Sequence, residues 1–121
     1  MANHPITHIE ISSKDHAKMK DFYGKLFGWS FQDFPDVNYV TFTTGEGQTG
    51  GGFSPVSNGA PPGAVVPYVD TSDIDAMLAT VKALGGGVVT LKTEIPGLGY
   101  YAVFTDLSGN QIGLFESADQ R

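Results

Sequence analysis

The chain has 121 residues, 40% of them hydrophobic and 12% aromatic, which suits one domain with an ordinary core. Seven Lys and Arg against thirteen Asp and Glu give a formal net charge of −6, a balance that argues against a surface tracking nucleic-acid phosphates. There is no cysteine, so disulfides, thiolate catalysis and Cys-based metal sites are excluded; with no basic, apolar leader and no run of membrane length, a cytoplasmic, soluble protein without membrane or nucleic-acid partners is expected.

Ile6 to Ile11 reads as a strand, with Ile9 and Ile11 on one face and Ile6, His8 and Glu10 on the other. Ser12 or Ser13 is placed to cap a helix whose Met19, Phe22, Tyr23 and Leu26 fall at i, i+3, i+4 and i+7. His16, in its first turn, reads as solvated surface. Gly28 suits a left-handed end to that helix, and Trp29 to Asp33 alternates as a second strand. Tyr39 to Phe53 holds two β-rich runs around a glycine-rich centre, the pattern of a hairpin. Gly45 to Gly50 satisfies the letters G-x-G-x-x-G, but Phe53-Ser-Pro55 follows where a dinucleotide fingerprint needs a helix, so the pattern reads as a hairpin loop.

Ser54 to Gly63 is a turn-rich linker. Val65 to Val69 is then a strand that turns Val66 and Tyr68 to one side, and Thr71 or Ser72 caps a helix with Ile74, Met77, Leu78 and Val81 as its apolar stripe. Gly85 to Gly87 ends it. Val88 to Leu91 reads as a strand, Thr93 to Gly99 as a loop, and Tyr101 to Phe115 as a closing hairpin.

The second half repeats the first. An offset of 62 aligns Tyr39 with Tyr101, Phe42 with Phe104, Gly51 with Gly113 and Phe53 with Phe115, and an offset of 58 aligns Asp15 with Asp73, Met19 with Met77 and Leu26 with Leu84. Internal repetition takes precedence over local signals in deciding architecture. The expected fold is α+β: two tandem βαβββ modules, about residues 5–54 and 64–117, within a single domain spanning 1–121.

His8 in the first strand, Asp15 seven residues later, Phe22-Tyr23 and Leu26-Phe27-Gly28-Trp29 in and after the helix, and a closing Asp106-x-x-Gly109-Asn110-x-Ile112 together resemble the vicinal oxygen chelate superfamily. That superfamily holds glyoxalases, bleomycin-resistance proteins and extradiol dioxygenases, and the resemblance covers nearly the whole chain. It implies that the modules form a cupped mixed sheet and that the protein is a homodimer. It also implies metal-ligand positions on the first and last strands of each module, here His8, Gly51, Val66 and Gly113. Of these only His8 can bind a metal, and a divalent site needs three or four donors. His4 lies about 13 Å along an extended run and cannot share an ion with His8. The metal chemistry of the family is therefore not expected, and neither is any other cofactor.

If Thr105 faces Gln111 across the closing hairpin, then Val103 faces Gly113 and Tyr101 faces Phe115, all turned away from the helix; by the repeat, Tyr39, Thr41, Gly51 and Phe53 do the same in module one. The expected ligand contacts are thus His8, Tyr39, Phe53, Tyr68, Tyr101 and Phe115, an apolar wall with few polar anchors, as small-molecule sites commonly are. Two functions follow from the resemblance. One is metal-free binding of an aromatic or amphipathic organic molecule. The other is a glyoxalase-like lyase or isomerase, with Glu10 and His8 as a catalytic pair moving a proton next to a carbonyl.

Overall fold

The computed structural model describes residues 3–57, 61 and 63–118. Chain contacts divide it into two compact units, Thr7–Val66 and a second that joins the first residues through Ile6 to those from Pro67 onward. Each unit carries one copy of the repeat.

Module one runs β1 (Ile6–Ser13), α1 (His16–Phe27), β2 (Ser30–Phe34), β3 (Tyr39–Thr43) and β4 (Gly50–Pro55), with a short 3-10 turn at Pro35–Val37. Its strands lie in the order β2-β3-β4-β1. β2 and β3 pair antiparallel, as do β3 and β4, whereas β4 pairs with β1 in parallel. Module two runs β5 (Val65–Asp70), α2 (Ile74–Ala83), β6 (Gly87–Ile95), β7 (Gly99–Thr105) and β8 (Gln111–Ser117). The pattern recurs in the order β6-β7-β8-β5, with β5 and β8 parallel. The α+β class and the duplicated βαβββ plan agree with the sequence reading.

Both helices start later than the sequence suggested, capped not by Ser12 or Ser13 and Thr71 or Ser72 but by the aspartates that follow. Asp15 caps α1, its carboxylate accepting the Lys18 amide, and Asp73 caps α2 by accepting the Ala76 amide. A carboxylate at this position satisfies an amide with no intrahelical partner and also meets the positive end of the helix dipole. Gly28 ends α1 in the left-handed conformation at φ 75°, as its sequence position implied.

In module one the core is Val40, Phe42 and Phe53, with Ile11, Met19, Tyr23, Trp29 and Phe31 packed against it. Met19 and Tyr23 thus face the sheet as expected. Phe22 and Leu26 do not, remaining 59% and 57% exposed, because the stripe covering this sheet is narrower than four periodic apolar letters suggested. The core of module two is Ile74, Leu78, Ala102 and Leu114, with Met77, Val88 and Phe104 around it.

Two further readings change. β6 continues to Ile95, so Thr93, Glu94 and Ile95 belong to a strand and not to a loop; two register shifts along its pairing with β7 break the alternation by which a strand is recognised. Ser54 and Pro55 belong to β4 and not to the linker, of which residues 58–60 and 62 lie outside the described residues. The G-x-G-x-x-G letters do form the loop between β3 and β4, with Gly47 at φ 75°. No helix among the described residues is long and apolar enough to cross a membrane.

Candidate functional site

Strand alternation places His8 and Glu10 on the face of β1 opposite Ile9 and Ile11, and β3 brings Tyr39 onto that same face. The three side chains form a connected chain. His8 Nε2 lies 2.8 Å from the Tyr39 hydroxyl, and that hydroxyl donates to Glu10 Oε2 at 3.4 Å. With the single phenolic proton directed at Glu10, His8 Nε2 is the protonated nitrogen and donates to the phenol oxygen. The imidazole and phenol rings also stack, centroids 6.4 Å apart and 16° from parallel. Tyr39, expected as an aromatic wall, is therefore the polar link between the two residues expected as a catalytic pair.

Burial tunes both ends. The His8 imidazole is held below its ordinary pKa of 6.5 because burial penalises the imidazolium. Glu10 is held above its ordinary 4.5, chiefly by burial, while the Tyr39 hydroxyl that donates to it and the nearby Ser54 hydroxyl draw it part of the way back. The Ser54 hydroxyl is buried near the carboxyl and makes no hydrogen bond of good geometry among the described residues.

These shifts predict opposite pH dependences. Below 6.5 the unfolded chain takes up a proton that folded His8 refuses, so this histidine costs stability as pH falls from 6.5 toward its lowered value. Folded Glu10 holds a proton that the unfolded chain has already released, so its contribution falls as pH rises from 4.5 through its raised value. Urea midpoints measured from pH 4 to 8 should lose the first slope in His8→Gln and the second in Glu10→Gln. Parallel curves for both variants and the parent would contradict the burial argument.

Phe53 is not at this site. Phe53 pairs with Val40 and Gly51 with Phe42, which puts both on the helix side, and Phe53 is wholly buried. The position facing Glu10 and Tyr39 from β4 is Gly52. The cause is hairpin length: Phe42 and Gly51 are nine positions apart, whereas the equivalent pair Phe104 and Ile112 are eight apart, so β4 matches β8 at an offset of 61. That single residue inverts the facing along β4.

In module two the expected register holds. Thr105 pairs with Gln111, Val103 with Gly113 and Tyr101 with Phe115, and Tyr68 on β5 lies opposite Gly113. Tyr68, Tyr101 and Phe115 therefore share one face of their own unit. The space over Gly113 is not left open, as a Cβ there would run into the Tyr68 ring. Gly52 is covered in the same way by the Tyr39 ring and hydroxyl.

The family's metal can be tested against this donor set. His8 and Glu10 are the candidate ligands of β1, and the last-strand positions on the matching faces, Gly52 and Gly113, carry no donor and are covered by tyrosine rings. Among the described residues no group of three or more His, Cys, Asp or Glu side chains could hold an ion. The residues present do not fit a metal centre.

His16 is not the solvated residue that its helix position suggested. Its Nδ1 lies 2.7 Å from Ser13 Oγ and its Nε2 2.9 Å from the Asn38 carbonyl oxygen, so it ties the start of α1 to the turn before β3. A carbonyl can only accept, so Nε2 carries the proton and, in the neutral ring, Nδ1 accepts from the serine.

Several known proteins are similar to this chain. The protein CFP32 of Mycobacterium tuberculosis (strain CDC 1551 / Oshkosh) is 28% identical over 115 residues, covering 90% of this chain and 44% of its own length. The anthracycline biosynthesis protein DauV of Streptomyces sp. (strain C5) is 30% identical over 118 residues, covering 84% of this chain and 42% of its own. The chain thus spans less than half the length of the curated relatives it matches. Among solved structures, BH1468 from Bacillus halodurans C-125 superposes with a TM-score of 0.74 at 15% identity, covering 99% of both chains, a likeness of fold. The model of the Glyoxalase/Bleomycin resistance protein/Dioxygenase superfamily matches residues 5–114, and with the duplicated βαβββ modules described above the chain belongs to that superfamily.

Proposed function

We propose that the chain binds a small organic molecule, without a metal, on the sheet face of module one that carries His8, Tyr39 and Glu10. The observation that carries this reading is the chain of hydrogen bonds from His8 through Tyr39 to Glu10, polar groups held half-buried on the face that α1 does not cover. Desolvated polar groups fixed in position against an apolar setting give a ligand orientation at little entropic cost. The names of the relatives, a glyoxylase and anthracycline biosynthesis proteins, are compatible with a small organic ligand.

The raised pKa of Glu10 favours a second reading, proton transfer next to a carbonyl. A carboxylate of raised basicity is a better general base near neutral pH. In such a step the carbon–hydrogen bond next to the carbonyl breaks, its electron pair stays on the substrate as an enolate and the proton moves to the Glu10 carboxylate. The Tyr39 hydroxyl turns its proton from the now protonated Glu10 to the enolate oxygen, and return of the proton from Glu10 to a different carbon completes an isomerisation.

One experiment separates these readings. The protein is incubated with a metabolite extract in D2O, and retained molecules are identified by mass after rapid buffer exchange. Binding alone predicts a retained molecule of unchanged mass that is lost in Tyr39→Phe and Glu10→Gln. Proton transfer predicts in addition a gain of one deuterium, abolished in Glu10→Gln. A retained molecule held equally well by both variants would place the site elsewhere.

A further inference from the structure

A cavity of about 360 Å³ opens at the start of α1, lined by Ser13, Lys14, His16, Asn38, Pro55 and Val56. None of these residues belongs to the His8–Tyr39–Glu10 cluster. The internal repeat supplies a second copy of the same place, and there it is filled. Ser13 pairs with Pro55 in module one; by the offsets of 58 and 61 that the registers fix, the equivalents are Thr71 and Glu116. The backbone bonds fit these pairings from opposite sides: Val56 N–H donates to Ser13 O just beyond the Ser13–Pro55 pair, and Thr71 N–H donates to Phe115 O just before the Thr71–Glu116 position.

In module two the Glu116 carboxylate enters this position. Its Oε1 accepts the amide of Ile74, the first residue of α2, at 2.9 Å, and its Oε2 accepts from Lys92 Nζ at 3.2 Å. The fold therefore places a carboxylate at the mouth of the helix, between a first-turn amide and a lysine. In module one the chain has Pro55, which brings no carboxylate, while the equivalent amide belongs to His16 and Lys14 supplies the cation.

We propose that the module-one cavity is a binding site for the carboxylate of a small organic acid, seated at the amide end of α1 as Glu116 is seated at that of α2. The capping carboxylate of Asp15 is no obstacle. Asp73 caps α2 in the same way, on the Ala76 amide, and Glu116 still accepts from Ile74. The two carboxylates use different amides of the first turn. His16 is oriented by Ser13 and Asn38 and forms a fixed wall, while Pro55 and Val56 add an apolar side for the body of the acid. A ring-bearing monocarboxylate fits that division between polar mouth and apolar wall.

The test is a titration of the 15N-labelled full chain with phenylacetate and, in parallel, with neutral phenylacetamide, read from amide chemical shifts. Phenylacetate should move the amides of Lys14, His16 and Ala17 saturably, and phenylacetamide should not. Lys14 is exposed, so Lys14→Glu leaves the core untouched and should weaken phenylacetate by about tenfold or more, the scale of one charge-assisted hydrogen bond. Pro55→Glu, which restores the carboxylate of module two, should remove the response. Equal shifts from acid and amide, no shift at the α1 start, or undiminished binding by Lys14→Glu would each overturn the proposal. Loss in Glu10→Gln with retention in Lys14→Glu would also overturn it, by assigning the anion to the other face.

Discussion

Phe53→Ala is expected to destabilise module one by about 3–5 kcal/mol, read from urea or thermal unfolding, the usual cost of deleting a buried phenylalanine ring. Phe53 has no exposed surface and its ring lies 5.3 Å from that of Phe42, 5.7 Å from Tyr23 and 6.0 Å from Phe31. Its removal empties the centre of an aromatic cluster that cannot easily collapse, because the neighbouring rings are held by one another. Had Phe53 lined a ligand face, the same variant would lose binding and keep most of its stability. A loss of under about 1 kcal/mol, with the chain still folded, would therefore restore the outward facing that the repeat first suggested.

The second large effect is expected at Glu116. Glu116→Ala should cost about 2–3 kcal/mol, the scale for leaving a buried amide without its acceptor and removing a charged cap from a helix start. The amide concerned is that of Ile74, itself wholly buried, so water cannot replace the lost carboxylate oxygen. Glu116→Gln retains an acceptor for Ile74 and should lose less. Lys92, raised above its ordinary pKa chiefly by the hydrogen bond to Glu116, should return toward 10.5 in both variants, which a side-chain NMR titration can follow. An alanine variant as stable as the parent would mean that Ile74 finds another partner.

How far the fold was legible depended on where the repeat was strict. The closing hairpin of module two was readable to the residue because its loop closes on itself: the Asp106 carboxylate accepts the side-chain and backbone amides of Asn110 and the backbone amide of Ser108, and these bonds hold it below the ordinary carboxylate range. Thr105 and Gln111 are thereby fixed opposite each other. In module one the matching letters Phe53 and Phe115 concealed one additional residue in the loop, and no local rule weighs a coincidence of letters against a change of length. The facing of Tyr39 was correct because β3 precedes that loop. Its bonds to His8 and Glu10 were not legible, since they join residues 31 and 29 positions apart and depend on the order of strands in space. Ser54 was missed for the same reason as Gly52. The late helix starts were missed because serine and aspartate compete as caps, and Asp15 and Asp73 win by offering a charged acceptor.

The parallel seams have a bearing on how the molecule assembles in time. In each module the first strand must find the last, Ile9 meeting Gly51 and Tyr68 meeting Gly113, whereas β2, β3 and β4, like β6, β7 and β8, are joined by short connections. Contacts distant in sequence form more slowly than local ones, so the three-stranded meanders precede the seams. Until β1 arrives, β4 exposes an unpaired edge, the condition under which strands recruit the wrong partner. Gly50, Gly51 and Gly52 make that edge a weak template, because glycine is a poor strand former with no side chain to anchor a foreign chain. The same glycines that leave β4 without a metal donor thus guard the nascent sheet against mispairing.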